Sequence, residues 1–303
     1  MKKLIILFLC LIALVSFGGK SFGQEFLEPW ADIWANIAAY ETNAERKEFK
    51  STVGRLDARV GVYALPLFGE TWLKPYVAYV GVMSNEESFW NNNGAIGFGA
   101  RFKPFKRYQA SSWNDEWVKD LRVYAELLSI SYYSQQDIPE GEGRPTTDTR
   151  AGLELWHEWN QFSPDNPSVL PDPNVPWAEV WSNLSFRTSN FQDDEFSDYI
   201  FYYQQKLGVQ SDIGDTGVAL EPYLRFDLAV CGKDYDWLNH FDYGAGLRVR
   251  PFKLGSAFGS KIPALSKLKV FVEIMSISWT RGKSTEDRPD NDFRFGIDFT
   301  FGR

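Results

Sequence analysis

The chain has 303 residues, a formal net charge of −8, 17% aromatic residues including 12 Trp, and only two cysteines. The acidic balance argues against nucleic acid as a partner, which calls for a basic surface. Cys10 falls in the leader and leaves Cys231 alone in the remainder, so neither an internal disulfide nor a cysteine zinc site can form.

Residues 1–23 read as a secretory signal: Lys2 and Lys3 give the charged start, Leu4 to Phe17 the apolar core, and Ser21 and Gly23 the small residues before a cleavage at Gln24. Leu9 stands where a lipoprotein signal needs a small residue, so Cys10 is not expected to be lipidated. Removing Lys2, Lys3 and Lys20, with no acid in the leader, takes the charge from −8 to about −11. No later stretch approaches the roughly 20 apolar residues of a spanning helix. A chain exported in this way can still occupy a membrane as a barrel.

Twelve strands are predicted, at 30–41, 51–63, 72–83, 94–104, 121–133, 148–159, 177–188, 198–209, 219–230, 241–251, 268–280 and 291–302. Each is long enough to cross a bilayer, which takes about 9–11 tilted residues. Turn residues separate them, among them Glu41-Thr-Asn43, Pro66-Leu-Phe-Gly69, Gly232-Lys-Asp234 and Arg281-Gly-Lys283. Residues 161–175, with four prolines, read as a linker between a first half, 24–160, and a second half, 176–303. An even strand number suits a bacterial single-chain barrel.

The strands are two-faced with period two. Gly244, Gly246, Arg248 and Arg250 share one face, and Tyr243, Ala245, Leu247 and Val249 the other. Arg55, Asp57, Arg59 and Gly61 oppose Leu56, Ala58, Val60 and Val62. Glu221, Tyr223, Arg225 and Asp227 oppose Leu224, Phe226 and Leu228. In the last strand Arg294, Gly296, Asp298 and Thr300 oppose Phe293, Phe295, Ile297, Phe299 and Phe301. A polar face of paired acids and bases suits a confined interior, and an apolar face suits lipid. At 121–133 and 268–280 the phase looks switched after Leu128 and Met275, which a β-bulge would explain; the alternative is that these strand ends leave the apolar band.

The two halves repeat each other at an offset of 147 residues. Ile96-Gly-Phe-Gly-Ala-Arg-Phe-Lys-Pro-Phe105 matches Tyr243-Gly-Ala-Gly-Leu-Arg-Val-Arg-Pro-Phe252, pairing Arg101 with Arg248 and Lys103 with Arg250. Pro29-Trp-Ala-Asp-Ile-Trp-Ala-Asn36 matches Pro176-Trp-Ala-Glu-Val-Trp-Ser-Asn183, Leu73-Lys-Pro-Tyr-Val77 matches Leu220-Glu-Pro-Tyr-Leu224, and Leu121-Arg-Val-Tyr-Ala-Glu126 matches Leu268-Lys-Val-Phe-Val-Glu273. Near the end the offset becomes 144, so that Glu154 matches Asp298. The fold class expected is therefore all-β: a 12-stranded antiparallel transmembrane barrel of two tandem six-stranded repeats, with Gly97 and Gly99 placed like Gly244 and Gly246.

Catalytic signals are weak. His157 and His240 read as interface or loop residues, and His157 lacks the serine two residues on that marks an outer-membrane phospholipase. Glu154 and Glu158 lie roughly 13 Å apart along one strand, too wide for a glycosidase pair. No phosphate loop, metal cluster or cofactor motif is present, and no enzyme activity is expected. The lumen and substrate-track candidates are Trp34, Trp181, Trp156, Tyr76, Tyr223, Arg101, Lys103, Arg248, Arg250, Glu126, Glu273, Glu154 and Asp298. Arg101 is expected near Glu126, and Arg248 near Glu273. Trp30 and Trp177 belong either to this track or to an interfacial girdle, while rings beside carboxylates and amides are what a sugar chain would meet.

The Gly-x-Gly-x-Arg-x-Arg-Pro-Phe strand, followed by Leu-Lys-Val-Phe-Val-Glu, resembles the C-terminal barrel of the bacteriophage adsorption protein A type and the exopolysaccharide secretin barrels of the bacterial cellulose synthase kind. The resemblance covers most of residues 29–303. It implies passage of a polysaccharide across the outer membrane from a periplasmic helical-repeat scaffold. No tetratricopeptide-like region precedes this barrel, so the scaffold would be a separate protein, and Gly302-Arg303 departs from the usual C-terminal signal. The expectation is an outer-membrane barrel, a channel or accessory component for exopolysaccharide export or surface attachment, with lipid, polysaccharide and a scaffold as partners. The alternatives are an outer-membrane lipid- or lipopolysaccharide-modifying enzyme and a soluble carbohydrate-binding β protein.

Overall fold

Alternation of large apolar with small or charged residues favours strands over helices, because only a period of two keeps the two sets on separate faces. The computed structural model describes residues 29–43, 50–63, 65–68, 71–85, 92–109, 113–133, 146–159, 175–189, 198–214, 216–233, 238–252, 263–280 and 288–301. The expected leader, 1–23, and residues 161–174 of the expected linker lie outside the described residues.

Twelve long strands form: β1 Pro29–Thr42, β2 Thr52–Val62, β3 Thr71–Ser84, β4 Asn93–Phe102, β5 Arg122–Tyr132, β6 Thr147–Trp159, β7 Val175–Ser189, β8 Asp198–Asp212, β9 Ala219–Cys231, β10 His240–Arg250, β11 Leu268–Trp279 and β12 Asn291–Phe301. Each strand pairs antiparallel with the next, and β12 pairs with β1 from Thr42↔Asp292 to Ile33↔Phe301, which closes the barrel. The bounds differ from the expected ones by at most three residues.

Three expectations are corrected. Pro66-Leu-Phe-Gly69 is not only a turn: Leu65–Phe68 forms a short strand against the start of β3. Val175 is the first residue of β7 and not the last of a linker. No β-bulge interrupts β5 or β11. Their pairing is continuous, as in Gly97↔Leu128 and Gly244↔Met275. Leu128 and Met275 stay buried in the inward phase, while Ser129 and Ser278 face outward at the strand ends. Two 3-10 segments, Trp113–Asp120 and Pro263–Lys267, lead into β5 and β11.

Burial is inverted relative to a soluble domain. Phe98, Ile274 and Phe186 are 74%, 66% and 61% exposed on the outer face. Inside, Glu221, Glu273, Arg248 and Asp32 are 0%, 1%, 1% and 1% exposed. Phe299 departs from this rule: it is outward by phase yet buried, in a cluster with Ile33, Ala35, Leu56 and Ala58 across β12, β1 and β2.

Candidate functional site

Each half builds an ion-paired network inside the barrel. In the first half, β1 presents Asp32, whose Oδ2 accepts from Arg101 Nη1 of β4 at 2.7 Å and from Arg122 Nη1 of β5 at 3.2 Å. In the second half Glu179 of β7 takes the same place. It meets Arg248 Nη1 of β10 at 3.0 Å, Lys269 Nζ of β11 at 3.3 Å and Lys206 Nζ of β8 at 3.8 Å. Lys206 is the cross-strand neighbour of Glu179, whereas the Asp32 bonds to Arg101 and Arg122 and the Glu179 bonds to Arg248 and Lys269 reach past intervening strands and project into the lumen. Carboxylates at this depth are stable only when fully paired.

A second acid belongs to each network. Glu126 accepts from Arg59 Nε at 2.8 Å and from the Tyr76 hydroxyl at 2.9 Å. Glu273 accepts from Arg225 Nη1 at 2.6 Å and from the Tyr223 hydroxyl at 2.6 Å. The tyrosine rings are seated on glycine: a Cβ on Gly99 would meet the Tyr76 ring at 2.6 Å, and one on Gly246 the Tyr223 ring at 2.5 Å. Trp30 packs edge-on to Tyr76 with centroids 5.6 Å apart, and Trp177 is tilted against Tyr223 at 5.8 Å. The Arg101 guanidinium lies 4.0 Å from the Trp30 ring and that of Arg248 lies 4.2 Å from the Trp177 ring. Trp30 and Trp177 are thus inside the barrel, packed under arginines, and do not form a lipid-facing girdle.

Arg101 and Arg248, expected near Glu126 and Glu273, stand diagonal to those acids in the register and find their ion-pair partners elsewhere. Gly99, not Arg101, is the cross-strand partner of Glu126, so the two arginines extend over the tryptophans to the acids of β1 and β7. Arg248 Nε also bonds Glu221, and Arg250 Nε lies 2.6 Å from Glu221 Oε1. Glu154 lies 3.6 Å from Arg122. Asp298 accepts from Trp34 Nε1–H at 2.8 Å, which ties Trp34 to the wall. Trp156 is the cross-strand partner of Trp181, and Trp181 stacks on Tyr202 with centroids 6.2 Å apart. These three rings form one aromatic run, whereas Trp34 stands on β1, on the opposite wall from β7. The hubs Asp32 and Glu179, and Arg59, Arg122, Lys206 and Lys269, were not singled out as site residues. Their inward phase and shared offset were the available signal.

The barrel opens to a cavity at the end that carries Pro29 and Phe301. It has a volume of about 420 Å³ and is lined by Lys74, Arg101, Lys103 and Arg122, by Tyr63, Phe102 and Trp156, and by Asp120, His157 and Glu158. Asp120, at the end of its 3-10 segment, folds over the rim to hold Lys103 Nζ at 2.6 Å and His157 Nδ1 at 2.7 Å. Burial raises the Asp120 pKa, but the hydrogen bonds with His157 and Lys103 outweigh it and bring the carboxyl down to about 2. Burial, together with the adjacent Arg122, holds Lys103 below the ordinary lysine value.

No family model and no curated sequence matches the chain. Among solved structures, the chain is similar to the β-domain of the Bordetella autotransporter BrkA, at 12% identity and a TM-score of 0.36, covering 91% of this chain and all of that one. It is similar to the NanC porin at 8% identity and a TM-score of 0.36, covering 89% of this chain and all of the porin. It is also similar to the translocator domain of NalP from Neisseria meningitidis, at 12% identity and a TM-score of 0.32, covering 99% and 96%.

Proposed function

We propose that the chain is an outer-membrane β-barrel that serves polysaccharide export or surface attachment as a non-enzymatic accessory component, its lumen closed by its own ion pairs. One observation carries the membrane reading: the exposed outer face is Phe, Leu, Ile and Val, while the charged residues are buried inside the closed sheet. Water outside would invert that arrangement, and lipid outside explains it. The accessory role follows from Asp32, Arg248, Glu221 and Glu273, which occupy the lumen where a passing polymer would need room. The saccharide reading is supported by the Trp156, Trp181 and Tyr202 run beside the mouth cavity. The repeated contacts at one offset also support descent of the two halves from one six-stranded unit.

Cell fractionation tests the location. The protein is expected in the Sarkosyl-insoluble membrane fraction, with gel migration that changes on heating; recovery in the soluble periplasm would contradict it. Surface polymer tests the role. Replacing Trp156 and Trp181 by Ala is expected to lower surface polysaccharide with heat-modifiable migration retained, and unchanged polymer would remove the saccharide reading.

A further inference from the structure

At one interior position the two halves carry opposite charges, and the first half has a cation where the second has a carboxylate. In β9, Glu221 is the cross-strand partner of Arg248, and its carboxylate serves both Arg248 and Arg250. The same position in β3 is Lys74, the cross-strand partner of Arg101. Where one half has an ion pair, the other therefore sets two cations directly opposite each other, an arrangement that is destabilising unless an anion joins them. Lys103, which stands where Arg250 stands in the other half, turns to Asp120 on the rim. The Lys74 ammonium lies 4.0 Å from the centre of the Tyr63 ring and 5.8 Å from that of Trp30, and among the described residues it forms no ion pair. Arg122, buried beside it, leaves its Nε without a hydrogen-bond partner. All four cations line the mouth cavity.

We infer that this cavity is a binding site for an acidic sugar, whose carboxylate or phosphate sits between Lys74, Arg101 and Arg122 as the Glu221 carboxylate sits between Arg248 and Arg250. Guanidinium groups suit either anion, since their planar fork matches two oxygens at once. The body of the ligand is read from the rest of the wall. Tyr63 and Trp156 line the same wall, and aromatic rings suit the C–H faces of a pyranose. Glu158 and His157 at the rim offer polar atoms to its hydroxyls, and His157 Nε2 is buried with no partner. A volume of about 420 Å³ accommodates a monosaccharide or the end of a chain. The second half has its own carboxylate in this place, so one site per barrel is expected. The inference rests on the barrel interior and not on a role in polysaccharide handling.

The test is equilibrium binding by calorimetry to the purified full chain in detergent micelles. The probes are glucuronate, glucose 6-phosphate, glucose and inorganic phosphate. Glucuronate or glucose 6-phosphate is expected to bind with one equivalent per chain, and glucose not to bind. Lys74→Glu places the other half's carboxylate in the site and is expected to weaken binding about tenfold or more, the worth of one charge-assisted contact. Lys74→Met, which leaves Arg101 and its partners in place, carries the same expectation if Lys74→Glu yields no heat-modifiable barrel. Absence of binding by the unaltered protein, or unchanged affinity in the Lys74 variant, overturns the site. Inorganic phosphate binding as tightly as either sugar overturns the sugar assignment and points to a phosphate headgroup or free ion. A protein that fractionates with the membrane yet binds no probe fails this inference alone.

Discussion

Glu179 shows how much the interior depends on single charges, because three cations from three strands converge on its carboxylate. Replacing Arg248 by Met leaves Glu179 and Glu221 short of their closest shared partner, and breaking such a buried pair costs about 3–5 kcal/mol. The temperature at which gel migration changes should fall clearly for Arg248→Met and stay put for a change at the exposed Arg107. Asp120 gives a prediction in pH. Its folded-state pKa is below the ordinary 3.8, so its contribution is complete above about pH 4 and is lost as pH falls toward about 2. Hydrogen exchange in residues 113–120, corrected for intrinsic rates, should rise across that window in the native protein and not in Asp120→Asn. At this scale the sequence was partly informative: the inward phase of Arg101, Glu126, Arg248 and Glu273 was readable, their partners were not. Long side chains in a narrow lumen choose acids on distant strands, and nothing in local spacing encodes that distance. The charge reversal between Lys74 and Glu221 was in plain sight within Leu-Lys-Pro-Tyr and Leu-Glu-Pro-Tyr, but its consequence needed the positions of Arg101 and Arg248.

Element boundaries were legible because each strand carries its own two-faced pattern and each turn its own breakers. The apparent phase switch in β5 and β11 misled for a physical reason. Leu128 and Met275 are apolar yet inward, filling space beside Gly97 and Gly244, while Ser129 and Ser278 lie at strand ends where the outer face no longer needs to be apolar. The rim segment Trp113–Asp120 was invisible to a period-two reading, since eight residues of 3-10 structure carry no strand signal. The pairing of β9 with β10 depends on the seat that Gly246 gives Tyr223. Gly246→Ala should push the ring off its seat and loosen its hydroxyl from Glu273. Overpacking of this kind costs about 1–3 kcal/mol, readable as a lower unfolding midpoint in urea. An unshifted midpoint would show that the ring has room to move.

For the whole molecule, closure of the twelve long strands with an apolar exterior leaves none of the twelve at an open sheet edge, which a bilayer demands. The interior then has to be filled or flooded. Two networks, one centred on Asp32 and Glu126 and the other on Glu179 and Glu273, set paired charges into it from several strands. Strand number, closure and the sidedness of the wall came through from sequence, because periodicity is a property of short segments. Whether the lumen is open did not, because it depends on how far side chains from opposite walls reach. Ion conductance of the purified protein inserted in planar lipid bilayers tests this account most directly. Insertion without stable open-pore current is predicted for the native barrel, with current appearing when Arg59, Glu126, Arg248 and Glu273 are replaced together by Ser. A steady porin-like conductance from the native protein would contradict the closed lumen.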